Sequence, residues 1–242
     1  MSLIEIEHLS KTYKKAPWLL RMLGVGDQEK TILRDISFSI QAGEIVCLLG
    51  KNGSGKTTLL KILSTLILPT DGKCFVDGKD IFLYEREVKK KLAYIYGDER
   101  SFFWRLSICE NLRFFAILRG IEKQNLENTI QAIMHICQID SIQKNPVNIL
   151  SAGERQKLSF ARGLLGSPKI LYMDEVSRSL DPPSAKHIRE FIKSDLRDIR
   201  KCAIIFATHN MAEAEEMADR VLVIDSGRIM AQGTFEQVYP QL

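Results

Sequence analysis

Apolar and polar positions change rhythm several times along the chain, and each change marks an element. Residues 3–9 read as a strand. Ile36, Phe38 and Ile40 alternate with Ser37 and Ser39, the pattern of a strand with one buried face. Ala42-Gly43 turns the chain into Ile45-Val46-Cys47-Leu48-Leu49, an unbroken apolar run that suits a strand buried on both faces. Leu59, Leu60, Ile62 and Leu63 follow at helical spacing. Pro69-Thr70-Asp71-Gly72 breaks the chain, and Cys74-Phe75-Val76 before Asp77-Gly78 reads as a strand entering a turn. Residues 92–96 form another strand. From Ser107 to Ile139 the apolar steps become three and four, through Leu112, Phe115 and Ala116 and then Ile133, Ile136 and Cys137. Apolar strands return at 170–173, 203–206 and 221–224, with helix starts between them at Asp181-Pro182 and Asn210-x-x-Glu213. Asp225-Ser226-Gly227 makes a late turn.

Strands that alternate with helices imply a mostly parallel sheet covered on both faces. The first strands predict a small antiparallel sheet, and residues 98–165 a helical insert. Composition changes little: 242 residues, net charge +4, 45% hydrophobic and 26% charged suit one globular chain with a large core. The mild basic balance has no long Lys/Arg run, so nucleic acid is not an expected partner; Lys89-Lys90-Lys91 reads as the solvated end of a helix. No secretory signal and no apolar run of membrane-spanning length is read, so a membrane role is expected to come through a partner. Cys47, Cys74, Cys109, Cys137 and Cys202 are scattered without a CxxC pair and read as reduced thiols of a cytosolic protein. His8, His135 and His187 share no metal-ligand spacing.

The chemistry centres on Gly50-Lys51-Asn52-Gly53-Ser54-Gly55-Lys56-Thr57-Thr58, between the apolar strand and the apolar helix. Strand, glycine loop, helix is the setting of a phosphate-binding loop. The glycines let a phosphate chain lie against bare backbone N–H groups, and the helix points its positive end at the same anion. Lys56 is expected at the outer phosphates and the Thr57 hydroxyl on Mg²⁺. A second constellation, Ile170-Leu171-Tyr172-Met173-Asp174-Glu175, is a buried strand that ends in two acids. One carboxylate there suits a nucleotide's Mg²⁺, and its neighbour suits a water aimed at the γ-phosphate. A third, Leu150-Ser151-Ala152-Gly153-Glu154, contains the capping box Ser151-x-x-Glu154. Capping alone does not choose between a plain helix start and a second anion site.

Together these stretches resemble the nucleotide-binding subunit of an ATP-binding cassette (ABC) transporter. Residues 50–57 look like its Walker A loop, residues 150–154 like its LSGGQ signature, and Asp174-Glu175 like the end of Walker B. Ser179-Leu180-Asp181 is similar to the D-loop, His209 to the switch histidine, and Tyr13 sits where the family places an aromatic against adenine. The resemblance implies an α/β fold: a P-loop NTPase core with its N-terminal antiparallel β subdomain over 1–97 and 166–242, and an inserted α-helical subdomain over 98–165. Two departures stand out. The signature has Ala152 for Gly and Glu154 for Gln. Where the family has the Gln-loop glutamine, this chain reads Gly97-Asp98-Glu99-Arg100, which puts Asp98 in that place near the metal.

The resemblance further implies an ATPase that binds ATP with Mg²⁺ and pairs head to tail with a copy or a related cassette. ATP then lies between the Walker A loop of one subunit and the Ser151–Gly153 helix end of the other. Glu175 is implied as the general base, His209 as the group holding the attacking water, and Asp174 with Thr57 as metal ligands. An integral membrane subunit is the implied partner, with the cassette on the cytoplasmic face. Residues 99–106, Glu-Arg-Ser-Phe-Phe-Trp-Arg-Leu, are similar to a stretch of exporter subunits and suit either a partner anchor or packing of the helical insert. Residues 15–26, with Trp18, Leu19, Leu20, Met22 and Leu23, suit lipid headgroups, a partner, or packing on the sheet. A soluble role in iron–sulfur cluster assembly stays open as the alternative.

Overall fold

The computed structural model describes residues 2–14, 29–97 and 101–241. Asp98 and the stretch 15–26 lie outside the described residues. The strands form two sheets. In the first, β1 (Ile4–Lys14), β2 (Glu29–Ile40), β4 (Asp71–Val76) and β5 (Lys79–Asp80) run in the order β2-β1-β4-β5, and the neighbours are antiparallel. The second has the order β10-β9-β3-β8-β7-β6, from β3 (Ile45–Leu49), β6 (Leu92–Tyr96), β7 (Ile170–Asp174), β8 (Ala203–Thr208), β9 (Arg220–Asp225) and β10 (Arg228–Gly233). By compactness the chain divides into Met1–Ala42, Val46–Glu85 and Ala207–Leu242 on one hand, and Gly43–Ile45 and Arg86–Phe206 on the other.

In the first unit, Ile4, Ile6 and Leu9 of β1 are buried against Ile36, Phe38 and Ile40 of β2, in the pairs Ile4↔Ile40, Ile6↔Phe38 and Leu9↔Ile36. The three-residue step from Ile6 to Leu9 reflects a bulge. His8 takes a left-handed φ of 51° there, opposite Asp35 at 55°, and the extra residue returns the apolar positions to the core face. His8 Nδ1 and Asp35 Oδ1 close the bulge on the solvent side at 2.7 Å. Every residue of β3 is buried; β3 pairs in parallel with β9, and β10 pairs antiparallel on the far side of β9. Helix α1 (Lys56–Leu63) buries Leu59, Leu60, Ile62 and Leu63.

In the second unit, β6 and β7 are parallel, and β7 is buried at all five positions. A short helix, α2 (Glu85–Lys91), ends in Lys89, Lys90 and Lys91. The long helical stretch is two helices, α3 (Ile108–Leu118) and α4 (Lys123–Ile136), separated where Gly120 adopts φ 78°. Ser107 and Glu110 form a reciprocal capping box on α3. Asn111, on the buried face of α3, fastens the segment before it. Its Oδ1 accepts from the Phe103 N–H at 2.9 Å, and its Nδ2 donates to the carbonyls of Phe103, Leu106 and Ser107 at 3.0–3.2 Å. Helix α5 (Ala152–Leu164) buries Leu158, Phe160, Ala161 and Leu164, and α6 (Pro182–Phe191) continues into a π-helical turn, Ile192–Arg197. All five cysteines are free thiols, and no helix among the described residues is long and apolar enough to cross a membrane.

Candidate functional site

The glycine loop at residues 50–55 belongs to the first unit, with β3 ending at Leu49 and α1 starting at Lys56. Gly53 and Gly55 have φ of 82° and 115°, a region open to glycine and strained for other residues. A Cβ on Gly50 would lie 2.2 Å from the Ile224 carbonyl oxygen, so that position admits no side chain. A Cβ on Gly53 would meet nothing within 4 Å; this part of the loop faces open space. Lys56 is only 5% exposed, and its ammonium donates to the carbonyls of Gly50 at 2.7 Å and Lys51 at 3.0 Å. The Ser54 hydroxyl is buried and has no hydrogen-bond partner among the described residues. A buried ammonium and an orphan hydroxyl in a loop of bare backbone fit a phosphate chain, which would give both a stronger partner. Lys51, Asn52 and Thr57 are exposed and Thr58 is half-buried.

Remote segments of the same unit brace the loop. The Gly227 N–H donates to the Ser54 carbonyl at 3.1 Å, and the Arg34 N–H donates to the Gly227 carbonyl at 2.8 Å. A Cβ on Gly227 would sit 2.2 Å from the Ile32 carbonyl, and one on Gly55 would sit 2.7 Å from the Leu33 side chain. Gly227 reads from sequence as a turn residue; its second duty depends on a carbonyl brought in by β2. Tyr13, near the end of β1, is 39% exposed, so it is not a core aromatic, and Lys11 Nζ lies 5.0 Å from its ring centre. His209 is exposed in the bend before α7 (Met211–Met217), which Asn210 caps by accepting from the Ala212 N–H at 3.0 Å.

Asp174, Glu175 and the 150–154 stretch belong to the second unit. Asp174 ends β7 at 6% exposure, its Oδ2 accepting from the Tyr94 hydroxyl at 3.3 Å and its carbonyl from the Gly97 N–H at 3.0 Å. Glu175 follows with φ 51°, a strained conformation for a residue with a side chain, and its carboxylate lies 3.3 Å from the Arg178 guanidinium. Gly97 leaves room for this corner, since a Cβ there would be 3.0 Å from the Glu175 carbonyl. Neither Tyr94 nor Gly97 carries a sequence signal that separates it from ordinary strand and turn residues.

Ser151 caps α5. Its hydroxyl accepts from the Glu154 N–H at 3.2 Å, and the Glu154 carboxylate accepts from the Ser151 N–H at 2.7 Å. These bonds to Ser151 hold the Glu154 carboxyl below its ordinary pKa. Ala152 is exposed, and a Cβ on Gly153 would come within 3.1 Å of the Ser179 carbonyl. Asp181 caps α6 by accepting from the Ser184 N–H at 3.0 Å, and hydrogen bonds from the Ser184 side chain and then from this N–H lower its pKa too. Along the 101–106 stretch, Phe103, Trp104 and Leu106 are exposed while Phe102 is buried.

Comparison with known proteins gives the family. A model of the ABC transporter family matches residues 33–178. The ABC transporter ATP-binding protein NatA of Bacillus subtilis is 34% identical over 215 residues, 88% of this chain and 87% of NatA. The lipopolysaccharide export system ATP-binding protein LptB of Haemophilus influenzae is 32% identical, covering 98% of this chain and 93% of LptB. The Fe(3+) ions import ATP-binding protein FbpC 1 of Pectobacterium atrosepticum is 28% identical; the match covers 99% of this chain but only 63% of that protein. A dimeric solved structure of the ATP-binding cassette MJ0796, described as a post-hydrolysis state bound to ADP and Pi, shares the fold at a TM-score of 0.82 and 21% identity, over 96% of this chain and 98% of that one. With the family model spanning more than half of its length and relatives above 30% identity over most of it, this chain belongs to the ABC transporter ATP-binding domains, the ATPases of that family.

Proposed function

We propose that this chain is the ATP-hydrolysing subunit that energises a membrane transporter, acting as a pair of cassettes that close head to tail around ATP. The observation that carries the reading is the buried Lys56, its ammonium on the Gly50 carbonyl, in the same loop as the buried Ser54 hydroxyl that has no partner among the described residues. In this reading the N–H groups of residues 50–55 and the start of α1 receive the phosphates. Lys56 balances charge on the transferring phosphoryl group, and Tyr13 packs against adenine. The Thr57 hydroxyl and the Asp174 carboxylate are hard oxygen donors of the kind Mg²⁺ takes. Bound there, the ion would neutralise charge on the outer phosphates. Glu175 takes the proton of the attacking water, and His209 holds that water toward the γ-phosphate.

The α5 tip at Ser151 and Gly153 of the partner copy meets the γ-phosphate from the other side. ADP lacks that group, so hydrolysis loosens the pair, as in other phosphate-held switches. The exposed Phe103, Trp104 and Leu106 engage the membrane subunit. Export is the direction we propose, on the likeness of residues 99–106 to exporter subunits.

Glu175→Gln tests the reading. The variant keeps the size of the side chain and loses the base, so it is expected to bind ATP, to dimerise, and to turn over roughly 10²–10⁴-fold more slowly. Light scattering and phosphate release measure the two properties. Turnover at the wild-type rate would remove Glu175 from the base role, and a variant that stays monomeric in saturating ATP would remove the closed pair.

A further inference from the structure

Two arginines of α5, Arg155 and Arg162, reach the aromatic stretch at 101–106. Arg162 donates to the Ser101 hydroxyl at 2.6 Å and lies 4.9 Å and 5.0 Å from the ring centres of Phe102 and Phe115. Phe102, at that end of the stretch, is buried packing at 4% exposure. Arg155 has different surroundings. Its Nη1 donates to the carbonyl of Leu150, the residue just before Ser151, and the same guanidinium lies 5.9 Å from the ring centre of Trp104. Trp104 is 44% exposed. Its carbonyl accepts from the Asn148 N–H at 3.0 Å, and the Leu106 carbonyl accepts from the Val147 N–H at 3.1 Å. A closed circuit results: from Trp104 through backbone to Asn148, along the chain to Leu150, and through Arg155 back to the indole.

We propose that Arg155 is a positioning residue that makes the exposed face of Trp104 and the Ser151 tip one mechanical unit, so that each senses the occupancy of the other. The physical lever is solvent. A cation over an aromatic ring gains strength when the pair is taken out of water. A partner surface that covers Trp104 therefore tightens the hold of Arg155 on the ring. The same guanidinium fixes the Leu150 carbonyl, which orients the start of α5. Coupling between two sites is reciprocal at equilibrium. Engagement of Ser151 must then change the surroundings of Trp104 even when no membrane subunit is present. The inference rests on the reading of the Ser151 helix end as the contact to a neighbour's γ-phosphate.

The reciprocal arm can be read in the full chain alone. The sequence has two tryptophans, so Trp18→Phe leaves Trp104 as the sole indole. In a Trp18→Phe, Glu175→Gln background, ATP with Mg²⁺ is expected to shift Trp104 emission with the same half-saturation as dimer formation followed by light scattering. Arg155→Ala should cut that shift at least about threefold and raise the ATP concentration for half-dimerisation about three- to tenfold. Arg155→Lys, which keeps a cation and a donor, should recover most of both, a rescue that loss of general stability would not produce. A dimer whose Trp104 emission does not move, or a shift that survives Arg155→Ala intact, would overturn the inference while leaving the closed pair standing. Absence of any ATP-driven dimer would overturn the reading of Ser151, and this inference with it.

Discussion

Lys56 is 5% exposed, a costly place for an ammonium unless partners surround it. The Gly50 and Lys51 carbonyls supply two such partners, and in the proposed function a phosphate supplies a better one. Lys56→Ala removes the donor, and ATP affinity is expected to fall about ten- to a hundredfold, roughly 1.4–2.8 kcal/mol. Calorimetric titration measures this; affinity within threefold of wild type would take Lys56 out of the phosphate role. The glycines around it were legible to different degrees. The left-handed Gly53 and Gly55 follow from a loop that must bare its backbone, which is a local requirement. The need for Gly50 is set by the Ile224 carbonyl and that for Gly227 by the Ile32 carbonyl, both far away in sequence. Tyr94 and Asn111 were illegible for the same reason: their partners, Asp174 and the Phe103–Ser107 backbone, meet them only in the fold.

Elements whose pattern is local were read well, and elements that depend on neighbours were not. The buried strands β3, β7 and β8 announce themselves as apolar runs. The α6 and α7 starts were visible as capping residues, Asp181 and Asn210, each of which accepts an N–H of its own first turn. Strand β10 carries little sequence signal because it is an edge strand, half exposed, whose large apolar residues, Ile229 and Met230, are adjacent and give no alternation to see. The bulge at His8 is likewise invisible, since a single added residue shifts apolar parity without a composition signal. The α5 cap has a pH consequence. The Glu154 carboxyl is held below its ordinary pKa by its bonds to Ser151, so its contribution is complete above the unfolded value near 4.3 and is lost as pH falls through the lowered one. Glu154→Gln keeps a capping acceptor without the charge. Its stability relative to wild type is expected to improve as pH drops from 7 toward 3, as read by chemical denaturation. A stability difference that does not change over that range would show that the carboxylate adds nothing as a charge.

At the scale of the whole molecule, the alternation of strands and helices was enough to read an α/β fold with a parallel sheet and a small antiparallel one. A ligand that binds only the folded chain stabilises it by mass action. At a hundredfold excess of ATP over its dissociation constant the gain is about 2.7 kcal/mol, which for a chain of this size raises Tm by on the order of 5–10 °C. Differential scanning fluorimetry with Mg²⁺-ATP measures the shift; Lys56→Ala should show a much smaller one, and equal shifts in both proteins would place ATP elsewhere. The brace from Gly227 to Ser54 adds a consequence in time. A nascent chain on the ribosome exposes residues 50–58 early, yet the Gly227 N–H that tethers the Ser54 carbonyl is translated far later. Nucleotide capture should therefore arrive abruptly only once Gly227 has emerged, and a stalled intermediate that stops short of it should still let ATP go.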